Sequence, residues 1–250
     1  DVEPTGNVPA MLYGYGGFDI PMTPTFNAGR VVWVERGGLV AVANLRGGGE
    51  FGKKWYDAGR LADKQNVFDD FAGCARWLAS SGWSRPSRIV INGGSPGELL
   101  VGAELTPPPE LIGAAVPEVG VLDMLRFAKF TIGWAWKEEY GAPSESAEEF
   151  AAIYKYSPLH NIRSGVSYPA TLITTADHDD RVYPAHSFKY TAALQAAQTG
   201  ANPILIRVET RAGHGGGTPL SKRIEAAVDQ YAFFVKVLGM VVRTPVLVQS

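Results

Sequence analysis

Residues 89–100 read Ile89-Val90-Ile91-Asn92-Gly93-Gly94-Ser95-Pro96-Gly97-Glu98-Leu99-Leu100. A β-branched apolar run ends at a glycine pair, one serine follows, and Pro-Gly leads into a run suited to a helix. This order predicts a buried strand, a tight turn and a helix. Gly93, Ser95 and Gly97 satisfy the pattern G-x-S-x-G. So sharp a turn has no room for β-carbons beside the serine, and part of its backbone sits where glycine alone is comfortable. The turn would lift the Ser95 hydroxyl to the carboxyl edge of a parallel sheet, where folds of alternating strands and helices place their ligands.

Outward from this stretch the alternation repeats. Further strands are expected at residues 8–15, 39–44, 112–116, 170–175 and 204–208. Helices are expected over residues 28–36, from a cap at Asn66 to a stop at Gly82, and over residues 190–198. In the second of these, Val67, Phe71, Cys74, Ala75 and Leu78 keep the 3.6-residue period of a core-facing stripe. A closing helix is read from Ile224, Ala227, Val228, Tyr231, Val235 and Leu238. Pro107-Pro108-Pro109 would stop the helix after Ser95, and residues 120–165 form an aromatic-rich section with few strand signals. Strands such as 39–44 are apolar without alternation, as expected when both faces are covered. The reading is an α/β fold, a mostly parallel sheet with helices on both faces, in one domain over residues 1–250.

Composition narrows the function. With 250 residues, 46% of them hydrophobic, the chain can bury a substantial core, and its net charge of −2 leaves no basic footprint for nucleic acid. No apolar run of about 18 residues is present, so no membrane span is expected. The single Cys74 excludes an internal disulfide framework and a multi-cysteine metal site, and a buried, inert thiol is expected there. No metal or cofactor is expected. Asp1-Val2-Glu3-Pro4 has neither the basic nor the apolar part of a secretion signal. A cytoplasmic location is therefore expected, or a periplasmic one if a leader precedes this chain.

Two later loops complete a chemistry. Ala176-Asp177-His178-Asp179-Asp180-Arg181 and Ala212-Gly213-His214-Gly215-Gly216-Gly217 each follow a predicted strand. A serine hydroxyl is a weak nucleophile until a histidine takes its proton, and that histidine needs a carboxylate to fix its tautomer and stabilise the imidazolium. The order Ser, acid, His is that of a nucleophile elbow and its partners. Ser95 is the expected nucleophile and His214, set among glycines, the expected base. By pattern alone Asp177, Asp179 and Asp180 are equivalent: one would be the acid, one would pair with Arg181 and one would hold the turn. His160 is expected to be structural, and His178 and His186 to serve local hydrogen bonds.

These motifs carry a resemblance. Together with Tyr13-Gly14-Tyr15-Gly16-Gly17-Phe18, Asn44-Leu45-Arg46-Gly47-Gly48-Gly49-Glu50 and Lys64-Gln65-Asn66, they are similar to the peptidase domain of the prolyl oligopeptidase family over nearly the whole chain. The resemblance implies an α/β-hydrolase fold and a serine endopeptidase that cleaves short peptides after proline. It makes Ser95, Asp179 and His214 the triad and Tyr15 an oxyanion donor. It places Phe18, Val121, Trp136, Tyr140 and Val182 in an apolar slot for the substrate proline, and Arg181 on a substrate carbonyl. A rigid ring without an N–H is best selected by a flat aromatic face, which Trp136 would supply.

Two departures stand out. Where the family has Asn-Gly-Gly after the serine, this chain has Pro96-Gly97-Glu98. The N–H after the nucleophile is one of two expected oxyanion donors, and proline has none. The family also joins a β-propeller to this domain, and about eight strands rather than six. Propeller and first strands would lie before Asp1, making the chain part of a longer polypeptide. Two other readings stay open at this level: a dipeptidyl, acylaminoacyl or basic-specific relative, and a hydrolase scaffold silenced by Pro96.

Overall fold

The computed structural model describes residues 3–106 and 110–241, so Pro107-Pro108-Pro109 lies outside the described residues. In chain order the elements are β1 (Ala10–Tyr13), α1 (Ala28–Glu35), β2 (Leu39–Val42), α2 (Lys53–Asp57), α3 (Gln65–Ser80), β3 (Ile89–Gly94) and α4 (Pro96–Glu104). They continue with β4 (Ala114–Glu118), α5 (Lys137–Tyr140), α6 (Ala147–Tyr154), β5 (Ala170–Ala176), α7 (Ala185–Ala197), β6 (Ile204–Glu209) and α8 (Leu220–Val237). The six strands form one sheet in the order β2-β1-β3-β4-β5-β6, and every pairing is parallel. Leu12 of β1 stands in register with Ala41 on one side and Ile91 on the other.

The four inner strands β1, β3, β4 and β5 show no polar alternation because both faces are buried. β2, expected to be covered on both faces, instead lies at the sheet edge and is only partly buried, with Val42 exposed, as is Leu205 of the other edge strand β6. Ala10, Leu12, Ile89, Ile91, Ala115 and Ile173 face a layer that includes Phe71 and Leu78 of α3, Leu100 of α4 and Leu194 of α7. The residues between them, Met11, Val90, Ala114, Val116 and Leu172, face Trp33 of α1 and Phe233 and Phe234 of α8. The period of two in a strand sorts an apolar run onto two cores. Each large side chain so buried contributes about 1.5–3 kcal/mol, and the two layers clamp the sheet between them. This is the α/β-hydrolase architecture. No helix among the described residues is long and apolar enough to cross a membrane.

Several element readings need correction. Asn66 does not cap α3. The chain runs from a 3-10 turn at Leu61–Asp63 through a helical Lys64 into the helix, and the Asn66 amide instead donates to the Ala58 carbonyl at 2.8 Å. The helix expected over residues 190–198 begins earlier, at Ala185, because Pro184 starts it at a position where its missing N–H does no harm. Along α8, Ile224 and Val228 are exposed, and Phe233, Phe234 and Leu238 carry the packing. A stripe identifies the apolar side of a helix, not the part of it that reaches the sheet. Cys74 is only partly buried. The aromatic-rich section contains α5, α6 and three short 3-10 turns and no strand.

Candidate active site

β1 leads outward to β2, and the chain then returns to β3 on the other side of β1. The loops after β1 and β3 therefore leave the sheet in opposite directions and open a crevice at its carboxyl edge. Tyr15 and Phe18 follow β1, and Ser95 follows β3. Ser95 has φ 56° and ψ −115°, a conformation costing on the order of 1–3 kcal/mol for a residue with a side chain. The neighbours hold it there. Its N–H donates to the Glu118 carbonyl at 2.9 Å, and its own carbonyl accepts from the Glu98 N–H at 3.0 Å. A β-carbon on Gly93 would collide with the Gly97 backbone, and one on Gly97 would stand 2.5 Å from the Gly14 carbonyl oxygen. Both glycines of G-x-S-x-G are thus required by close backbone approach.

Asp179 lies after β5 and His214 after β6. Nδ1 of His214 is 2.7 Å from Oδ2 of Asp179, whose side chain is 0% exposed. The other oxygen, Oδ1, accepts the Arg181 N–H at 2.9 Å and the Val182 N–H at 2.8 Å. The carboxylate is fixed from both ends. This corrects the division of labour expected for the three aspartates. Asp179 both holds the turn and meets the histidine, and among the described residues no aspartate forms an ion pair with Arg181. Asp177 binds exposed His178 at 2.6 Å and accepts the Ala212 N–H at 3.4 Å, tying the two loops together. Sequence pattern could not divide these roles, because only packing decides which of three neighbouring carboxylates is turned inward.

The other histidines serve local bonds. His186 is buried and its Nδ1 accepts the Asp123 N–H at 3.1 Å; burial pushes its pKa down to about 4, so it is neutral. His160 meets the Ser157 hydroxyl at 2.8 Å. Among the described residues no hydrogen bond joins Ser95 to His214, whose ring bonds Asp179. Tyr15 and Ser95 line the same cavity. Burial raises the Tyr15 pKa, with Arg181 and Ser95 opposing, so the phenol keeps its proton as a donor.

A cavity of about 330 Å³ opens beside Ser95. Tyr15, Phe18, Val121, Trp136, Tyr140, Arg181 and Val182, every residue expected to touch substrate, line it together. Ile20, Ile132 and Pro96 also line it and were not expected as contacts; Ile20 and Ile132 carry no pattern beyond an apolar side chain. Phe18 meets Tyr140 edge-on at 5.8 Å, and Tyr140 meets Phe127 at 5.5 Å, so the slot wall is braced from behind. A larger cavity, about 470 Å³ between α3 and α4, contains none of these residues. Among the described residues no group of three or more His, Cys, Asp or Glu could hold a metal.

Glu98, in the first turn of α4, has a 0% exposed side chain, and neither of its oxygens has a hydrogen-bond partner among the described residues. Burial raises its pKa well above the usual carboxylate range, Glu118 and Asp179 add to that, and Ser187 opposes weakly. Glu98 is therefore a neutral acid packed under the elbow, with Gly120 close enough that a β-carbon there would collide with it.

The family model described as "Prolyl oligopeptidase family" matches residues 24–241. This chain belongs to the prolyl oligopeptidase family. It is 47% identical over 235 residues to a prolyl endopeptidase of Elizabethkingia meningoseptica, covering 94% of this chain and 33% of that protein. It is 46% identical over 238 residues to prolyl oligopeptidase A of Amanita bisporigera, covering 94% of this chain and 31% of the relative. A solved structure from a study of two prolyl endopeptidases superposes with a TM-score of 0.94 at 48% identity, over 96% of this chain and 36% of that one. Prolyl oligopeptidase B of Galerina marginata, solved with a 35-residue hydrolysis and macrocyclization substrate, gives 0.93 at 42% identity, over 97% and 34%. The chain thus spans about a third of the length of the relatives it matches. Within this prolyl oligopeptidase fold, Pro96 opens α4 and is buried against the slot.

Proposed function

We propose that this chain is the peptidase part of a serine endopeptidase that hydrolyses short peptides on the carboxyl side of proline. One observation carries the reading: an apolar, aromatic-walled slot opens directly beside a strained serine. His214 takes the Ser95 proton as Oγ attacks the carbonyl carbon of the proline residue, and Asp179 stabilises the imidazolium. The Tyr15 hydroxyl donates to the oxyanion of the tetrahedral intermediate. Collapse returns the proton to the leaving amine and leaves an acyl-enzyme, which water, deprotonated by His214, then cleaves. Arg181 holds a carbonyl of the bound peptide while the proline ring stacks on Trp136. A preference for basic residues is not supported, because no acidic side chain is among the residues lining the slot.

The names of the relatives support this reading, as does the slot. The β-propeller expected in the remainder of the protein belongs to the same proposal, as does one peptidase domain over residues 1–250. A cytoplasmic location is part of the same proposal. The test uses the full-length protein: labelling of Ser95 by an organophosphonate, and kcat/KM for peptides with proline or alanine before the scissile bond. Labelling with a proline preference is expected, and Trp136→Ala should reduce cleavage of the proline peptide more than that of the alanine peptide. Equal losses on both would reduce Trp136 to core packing, and no labelling would end the hydrolase reading.

A further inference from the structure

Lys64-Gln65-Asn66 belongs to the resemblance but has no part in the chemistry above. Lys64 forms an ion pair with Glu139, Nζ to Oε1 at 3.0 Å, and each side chain is only 2% exposed. Lys64 Nζ also donates to the Gly16 carbonyl at 3.0 Å and stands 5.2 Å over the Tyr140 ring. The second oxygen of Glu139 accepts from the Tyr56 hydroxyl at 3.1 Å. A β-carbon on Gly17 would stand 3.1 Å from Glu139 Oε1 and 3.3 Å from Lys64 Nζ, so the loop after β1 lies directly on the pair.

A buried ion pair is a weak source of stability, because the desolvation of both charges offsets their attraction. The same desolvation acts here: burial lowers the Lys64 pKa, and Glu139 opposes it. What the pair does achieve is connection. Gly16 lies between Tyr15, the oxyanion donor, and Phe18, one wall of the slot. Glu139 lies between Trp136 and Tyr140, the facing wall. Loop and wall are far apart in sequence, and Lys64, itself 75 positions from Glu139, bridges them.

We propose that Lys64 and Glu139 are positioning residues, a buried clamp that sets the width of the proline slot and the approach of Tyr15 to Ser95. The inference rests on the peptidase reading of the slot. Neither residue touches substrate; both act through Gly16, Tyr140 and Trp136.

The experiment compares full-length parent, Lys64→Met, Glu139→Gln and the double variant Lys64→Met/Glu139→Leu. It reads thermal midpoint, organophosphonate labelling, and kcat and KM on paired proline and alanine peptides. Each single variant leaves a buried charge without its counter-ion and loses stability. The double variant removes both charges and regains it, which keeps the test open if a single variant does not fold. The folded double variant is expected to label at Ser95 and to lose about ten- to a hundredfold in kcat/KM on the proline peptide, the scale of a misplacement near 1 Å. The alanine peptide should lose less, so the proline-to-alanine ratio falls. A double variant with regained stability and an unchanged ratio overturns the clamp alone. A parent that labels but shows no proline preference overturns the slot reading and the clamp with it.

Discussion

Pro96 follows the nucleophile, and its ring nitrogen carries no hydrogen at the place where the family has a second oxyanion donor. On the proposed reading the Tyr15 phenol does that work alone. Loss of one such donor costs on the order of 10²–10³ in turnover. In the full-length protein Pro96→Asn is therefore expected to raise kcat by about 10²–10³ with little change in KM. Steady-state kinetics on a proline peptide, with circular dichroism to confirm folding, checks this; unchanged turnover in a folded variant would place the oxyanion elsewhere. Two residues on, Glu98 makes a prediction about pH. Its folded pKa is raised, so its contribution is fully favourable below the unfolded value near 4.5 and is lost as pH climbs through the raised folded value. Glu98→Gln cannot ionise. Its thermal midpoint relative to the parent should be lowest in acid and rise toward mildly alkaline pH. A difference independent of pH would show that Glu98 ionises equally in both states.

At the level of elements, the elbow works because α4 starts against the loop after β1. Gly97 and the Gly14 carbonyl are the point of contact. Alanine inside a helix ordinarily gains up to about 1 kcal/mol over glycine. Here the added carbon meets backbone that cannot rotate away. Gly97→Ala is expected to lower unfolding free energy by about 1–3 kcal/mol in denaturant titration and to lower kcat by displacing Tyr15. A neutral or stabilising effect would mean that the two loops are not rigidly packed. The loops after β5 and β6 are joined differently, through Asp177 to Ala212 and Asp179 to His214. The His214 ring is thus held by Asp179 across the two loops.

Across the whole molecule, the carboxyl edge of the sheet carries large apolar side chains in solvent. Phe26, Phe51 and Trp134 are 86%, 67% and 64% exposed, and each lies in a segment after a strand. If the expected propeller covers this edge, the isolated 250-residue piece should bind an apolar dye strongly and the full-length protein only weakly. Equal dye fluorescence per mole from the two would place the propeller elsewhere.

The sequence by itself determined the alternation of strands and helices, the elbow, and the order Ser95, Asp179, His214. These are local matters: a turn's need for glycine, a strand's need for apolar residues on both faces, and a chemistry restricted to a few residue types. It did not determine which of Asp177, Asp179 and Asp180 faces His214, how far α8 reaches onto the core, or that Ile20 and Ile132 join the slot. Nor did it mark Lys64 and Glu139 as a pair, since no periodicity relates residues 75 positions apart. Those outcomes depend on which side chains the folded sheet brings together and on which of them it removes from water, and only the tertiary structure decides both.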